Sequence, residues 1–216
     1  MGKIWIIVAI VIVIVIALLV GIMAGPIMSN VEHPEYQVTS SVGNIEIRQY
    51  NPMLIAQVDV PGERKDAINQ GFRLLADYIF GNNTVEKKIK MTAPVQQQSN
   101  TKIAMTAPVQ QQESNGSWQI SFVMPSEYTM DSLPKPNSKT VSIKEIPEQT
   151  YIVITFSGVN SNDNIAKHEK QLLKYISKHH IETIAVPKYA FYNPPWTLPL
   201  MRRNEIMIEI NKNHNN

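Results

Sequence analysis

Ile45-Glu46-Ile47-Arg48-Gln49-Tyr50-Asn51-Pro52-Met53-Leu54-Ile55-Ala56-Gln57-Val58-Asp59-Val60-Pro61-Gly62 spells out two strands and their breaks. The first six residues alternate apolar and polar, the period of two expected of a strand with one buried face. Residues 53–60 read the same way. Asn51-Pro52 supplies the turn between them, and Pro61-Gly62 stops the second strand. The period then changes. Ile68, Phe72, Leu75 and Ile79 fall at i, i+4, i+7 and i+11, which is one face of an α-helix. Asp66 sits in the first turn and Gly81 just beyond the end, the expected start and stop chemistries. Residues 88–95 and 117–124 are strand-like again.

The second half repeats this order. Residues 141–146 and 151–156 read as strands. Residues 164–179 read as a helix with Ile165, Leu172, Leu173 and Ile176 on its apolar side, and residues 189–192 and 205–210 close as strands. Two β-β-α-β-β units imply an α+β fold, a pseudo-symmetric antiparallel sheet or distorted β-barrel flanked by two helices. A second, local repeat lies inside the first unit. Met91-Thr92-Ala93-Pro94-Val95-Gln96-Gln97-Gln98 recurs identically from Met105 to Gln112. Two copies are too few for a solenoid, so the repeat reads as a duplication that lengthens a hairpin.

Upstream, residues 4–24 carry no charge and no strongly polar side chain, and Ile, Val and Leu dominate. At about 1.5 Å per residue that run spans roughly 30 Å, the hydrocarbon thickness of a bilayer. It exceeds the roughly 7–15 apolar residues of a signal peptide. The expectation is one N-terminal transmembrane helix, with residues 1–28 as anchor, 29–35 as a polar stalk and 36–211 as the domain. Lys3 precedes the run, whereas Glu32 and Glu35 follow it. The positive-inside rule then places the domain on the extracytoplasmic side of a single-pass membrane protein.

Composition narrows the chemistry. The 216 residues hold 20 Lys+Arg against 18 Asp+Glu, a net charge of +2, without the basic stripe of a nucleic-acid binder. Cysteine is absent, which excludes disulfides, thiolate metal sites, covalent haem attachment and a cysteine nucleophile. There is no phosphate loop, no G-x-S-x-G elbow and no H-E-x-x-H helix. The five histidines (His33, His168, His179, His180, His214) lack metal-ligand spacing. These negatives leave neither a catalytic residue nor a metal site to assign.

Several further segments occur in order: Lys90-Met91-Thr92-Ala93-Pro94-Val95, Phe122-Val123-Met124-Pro125-Ser126, Tyr128-Thr129-Met130-Asp131-Ser132-Leu133-Pro134, Phe156-Ser157-Gly158, Tyr192-Asn193-Pro194-Pro195-Trp196 and Arg202-Arg203-Asn204-Glu205. Together with the opening strand, this set resembles the SOUL haem-binding family over nearly all of the soluble part. The resemblance implies a barrel-like sheet with two helices and a non-covalent tetrapyrrole surface near the first helix. Phe72, Leu75 and Ala76 are the residues it places against a macrocycle. The family's proposed axial histidine falls on Gln49, a poor iron ligand. The family's basic positions on the helix fall on Asn69 and Asp77. The spacing from Gly81 makes the first Met-Thr-Ala-Pro-Val copy the family strand and the second copy an insertion.

The reading that results is a membrane-anchored, non-enzymatic haem or tetrapyrrole binder that uses a hydrophobic surface. Two other classes stand beside it. One is a small-molecule hydrolase of GyrI-like fold, using Glu205 with Tyr192 and Trp196. The other is an envelope scaffold that binds a partner protein. In an alternating closing strand Glu205, Met207 and Glu209 share the face opposite Ile206, Ile208 and Ile210. Glu205 is expected to be a structural ion pair rather than a base, contributing no more than about 1 kcal/mol if it faces solvent.

Overall fold

Because the strands alternate, one set of side chains meets a helix and the other faces the inside of a curled sheet. The computed structural model describes residues 31–84, 102–114 and 116–211, with Trp5, Val8, Ile12 and Val13 as isolated positions before them. Apart from those four positions, the apolar run 4–24 lies outside the described residues, as does the predicted strand 88–95. Among the described residues no helix is long and apolar enough to cross a membrane.

The first unit holds β2 (Ile45–Tyr50), β3 (Met53–Pro61), α1 (Arg64–Ile79), β5 (Val109–Ser114) and β6 (Ser117–Val123). The second holds β8 (Ser142–Ile146), β9 (Gln149–Phe156), α2 (Asn162–Lys178), β10 (Lys188–Phe191) and β11 (Asn204–Ile210). An edge strand, β1 (Tyr36–Val42), precedes them, and β4 (Asn83–Thr84) pairs with β7 (Lys135–Pro136) as a separate ribbon. The nine-stranded sheet runs β1-β2-β9-β11-β10-β5-β6-β3-β8, antiparallel throughout.

The two units are related as the sequence predicts, but their strands are exchanged. β2 leaves its own unit to pair with β9, and β8 leaves its own to pair with β3. The units meet where β5 pairs with β10. Each helix covers one half. α1 packs on Ala56, Val58, Ile120 and Phe122, while α2 packs on Ile152, Ile154, Ile206 and Ile208.

Three expectations need correction. The core face of α1 is Ala67, Gly71, Leu75, Tyr78 and Ile79, not the stripe through Ile68 and Phe72. Gly71 lies so close to β6 that a Cβ there would sit 2.9 Å from Ile120. The small residues therefore let the helix close on the sheet, and Phe72 is turned to the flank with 37% of its surface exposed. On α2, Leu173 is likewise outside, at 45% exposure, while Ile165, Leu172 and Ile176 are buried.

The second copy of the duplicated segment lies in the sheet, whereas the first lies outside the described residues. β5 comes from the second copy, with Val109 opposite both Phe122 and Phe191 at the seam between the units. A strand hydrogen-bonded on both edges is not an insertion. Finally, β1 gave no sequence signal because every residue from Gln37 to Val42 is exposed, leaving no buried face to set a period.

Candidate functional site

The inner face of the sheet is built by the residues that alternate away from the helices. At one end it carries Arg48, Tyr50, Thr155, Tyr192 and Glu205, all drawn together by the exchange of β2 onto β9. Glu205 is fully buried, and its Oε1 accepts from Arg48 Nη1 at 2.8 Å and Arg203 Nε at 2.9 Å. Arg203 Nη2 also lies 2.8 Å from that oxygen, and Thr155 Oγ1 donates to it at 3.3 Å. The other oxygen accepts from the Tyr192 hydroxyl at 2.7 Å. Arg48 in turn donates to Glu46 at 2.7 Å and lies 4.5 Å over the Tyr36 ring, while Arg203 lies 4.0 Å over Tyr192.

Burial alone would push the Glu205 carboxyl up, but the charges of Arg203 and Arg48 and the hydrogen bonds from Arg48 and Tyr192 outweigh it. The net result is a carboxyl held below its ordinary value. Burial, then the Glu205 charge, pushes Tyr50 up to about 12. A carboxylate so fully paired, with depressed basicity, is poorly disposed to take a proton at neutral pH. The expected ion pair of Glu205 with arginine is present. It is not the inexpensive surface pair that sequence allowed, because Arg48 is 3% exposed and Glu205 0%.

The other end of the inner face is a polar cleft of about 200 Å³. Gln57, Gln110, Gln112 and Gln119 line it, with Lys188 and Glu209 across from them. Lys188 donates to the Tyr151 hydroxyl at 3.0 Å, Tyr151 to Gln149 at 2.6 Å, and Gln149 to Glu209 at 3.0 Å. Burial lowers the Lys188 ammonium below its usual value, against the opposing pull of Glu209. Gln57 Nε2 is buried with no hydrogen-bond partner among the described residues. Amides and charges at this density suit a small polar ligand and not the face of a macrocycle.

The outer face of α1 is different. Phe72, Ala76 and Phe80 follow one another at i+4 spacing along its flank, Phe72 and Phe80 exposed by 37% and 56%, and Ala76 half-buried. Phe72 is braced edge-on against Phe122, centroids 5.4 Å apart. Leu75, named with Phe72 and Ala76 from sequence, is fully buried in the core under them. Gln49 is half-buried on β2, in the half that α2 covers, whereas the other three belong to the half under α1. The fold therefore brings Phe72 and Ala76 together and leaves Gln49 elsewhere. Phe80 completes the stripe. Its i+8 spacing from Phe72 was the signal available in the sequence.

Sequence reasoning also passed over His33. It borders a hollow of about 320 Å³ with Met53, Leu54, Met124 and Met130. Its Nδ1 lies 3.3 Å from the Ala107 carbonyl, and its ring packs 5.4 Å from Tyr192. No sequence spacing links these residues, since β3, β6 and the chain before β1 meet there only in the folded state. Among the described residues no cluster of three or more His, Cys, Asp or Glu side chains could hold a bare metal ion.

The sequence profile of the SOUL heme-binding protein family matches residues 31–209, from the chain before β1 almost to the end of β11. The chain belongs to the SOUL family. Heme-binding protein 2 of Mus musculus is 31% identical over 201 residues, covering 89% of this chain and 92% of that protein. Heme-binding protein 2 of Homo sapiens is 34% identical over 175 residues, covering 79% and 80%. Among solved structures, the EcmrR C-terminal domain superposes with a TM-score of 0.55 at 10% identity, covering 82% of this chain and 98% of that one. At such low identity the last comparison speaks for the fold alone.

Proposed function

We propose that this SOUL-family protein binds haem or a related tetrapyrrole without covalent attachment and without catalysing a reaction. The observation that carries the reading is the apolar Phe72–Ala76–Phe80 stripe along α1 and its C-cap, whose two phenylalanines are exposed. The heme-binding relatives support the ligand class. Phe72 and Phe80 would lie against the flat apolar face of the macrocycle, and Ala76 between them leaves room for it. Haem bound there supplies its own absorption and redox chemistry, and the chain supplies contact and orientation. Burying roughly 200 Å² of apolar surface at about 25 cal/mol per Å² gives on the order of 5 kcal/mol before association costs, so this contact alone gives an affinity no tighter than roughly 0.2 mM.

A second placement of the same ligand is favoured by His33. In the tautomer whose Nδ1–H donates to the Ala107 carbonyl, Nε2 is left to ligate iron beside a hollow that Met53, Met124 and Met130 share with Glu32, Glu35 and Glu145. An absorption titration with haem separates the two placements. Phe72→Asp abolishes binding on the α1 stripe, and Gln49→Ala leaves it unchanged. Loss of binding in His33→Ala but not Phe72→Asp moves the ligand to the hollow. No Soret shift with the unaltered protein removes both.

The membrane address is part of the same proposal. Residues 4–24 anchor the chain, and the charge asymmetry across them puts the domain on the extracytoplasmic side. Extraction by detergent but not by alkaline carbonate tests the anchor. The hydrolase reading has little physical support, because Glu205 is fully committed to two arginines and a tyrosine.

A further inference from the structure

We propose that the Asn193–Arg203 loop is a second membrane contact, dipping its apolar tip into the interface of the bilayer that residues 4–24 enter. The inference rests on the anchor reading above and adds a specific surface to it. Four large apolar side chains stand out from six consecutive residues: Trp196 is 60% exposed, Leu198 45%, Leu200 88% and Met201 41%. Single exposed apolar residues are ordinary on any surface, but a contiguous protruding set marks an interaction site.

The loop is not a floppy segment that happens to be caught open. Arg202 Nε donates to the Thr197 carbonyl at 2.7 Å, and its Nη2 donates to the Pro195 carbonyl. The Arg203 amide donates to Asn193 Oδ1 at 2.6 Å, and the Gly158 amide to the Pro199 carbonyl at 2.8 Å. Pro199–Met201 is a turn of 3-10 helix. These bonds use the polar groups inward and hold the apolar ones outward. Arg202 is occupied by carbonyls and Arg203 by Glu205, so the tip offers apolar surface and an indole rather than charge. Tryptophan with aliphatic neighbours is the composition that settles at the headgroup boundary.

Placement selects a bilayer as the occupant. The chain comes into the domain at Val31, and the next residues lie against the base of this loop: the His33 ring is 5.4 Å from Tyr192, and Arg203 Nη2 donates to the Tyr36 hydroxyl at 3.2 Å. From Ala24 to Val31 a fully extended chain reaches about 25 Å. A domain of this size is roughly 40 Å across. A tether shorter than the domain turns the face it attaches to toward the membrane, and that face carries Trp196 to Met201.

The chain has no cysteine, so Leu200→Cys creates a unique thiol at a site too exposed to threaten the fold. The full chain is reconstituted in phosphatidylcholine nanodiscs with a nitroxide at that position. A second variant, Ser114→Cys, carries the same label on the β5–β6 hairpin, at the opposite end of β10. The expected result is a several-fold higher ratio of oxygen to nickel-chelate collisions at position 200 than at 114. In Trp5→Phe, brominated lipid should also quench Trp196. A chain that enters nanodiscs but shows equal ratios at the two positions overturns the loop contact and leaves the anchor standing. A label at 200 shielded from both colliders means a protein covers the loop, which also overturns the proposal. A chain that never enters the nanodisc brings down the anchor reading, and the loop contact with it.

Discussion

Replacing Glu205 by glutamine removes the fully buried negative charge that Arg48 meets and leaves it only the part-exposed Glu46. The arginine is 3% exposed and cannot turn to water, while Arg203, at 35%, recovers part of its hydration. Removing one partner of a buried pair costs about 3–5 kcal/mol, chiefly because the surviving charge stays buried. Arg203 is the mitigating partner, so the low end, about 3 kcal/mol, is expected here. For a domain of this length each kcal/mol is worth about 2–4 °C, giving a fall of roughly 6–12 °C. The assay is thermal and urea unfolding at pH 7 of a chain beginning at Ser29, followed by circular dichroism and tryptophan emission. Adding Arg48→Met should recover part of the loss, since it takes away the stranded cation.

The pH dependence has a definite sign. Glu205 is held below its ordinary value, so its contribution is complete above the unfolded-chain value of about 4.3 and fades as pH falls toward the folded one. The gap between the two proteins should therefore narrow below about pH 4. A loss under about 1 kcal/mol at pH 7 would refute the reasoning, because that is the scale of a solvated pair.

Gly71→Ala should destabilise despite alanine's better helix propensity of about 1 kcal/mol, since the new Cβ meets Ile120 Cβ at 2.9 Å and overpacking costs about 1–3 kcal/mol; a raised melting temperature would contradict the close approach. Leu75→Ala should cost about 2–5 kcal/mol, yet leave the haem affinity of the folded protein unchanged, because Leu75 is core and not surface. Phe72→Asp should show the opposite pattern, near-normal stability with haem binding gone. A chain starting at Ser29 should be soluble and monodisperse by light scattering; aggregation would mean that the apolar segment packs on the domain.

Local signals carried much of this protein. Strand alternation at Ile45–Tyr50 and along β11, the helical periods of α1 and α2, and the repeated order of the two units were all legible, because each depends on residues a few positions apart. The family was legible in its motifs for the same reason, as was the absence of cysteine chemistry. What sequence left open was which neighbour each face met. The helical stripe of α1 was read through Phe72 and not Gly71, and only the close approach of Ile120 decided that the glycine goes in and the phenylalanine out. The second of two identical copies of Met-Thr-Ala-Pro-Val read as an insertion, and the pairing of Val109 with both Phe122 and Phe191 places it in the sheet. Glu205 read as a polar residue on an alternating strand, and the exchange of β2 onto β9 brought Arg48 across 157 positions to bury it. Periodicity states that a face is buried or exposed on average; pairing between distant strands supplies the charge, the clash or the ring that settles what a given side chain does there.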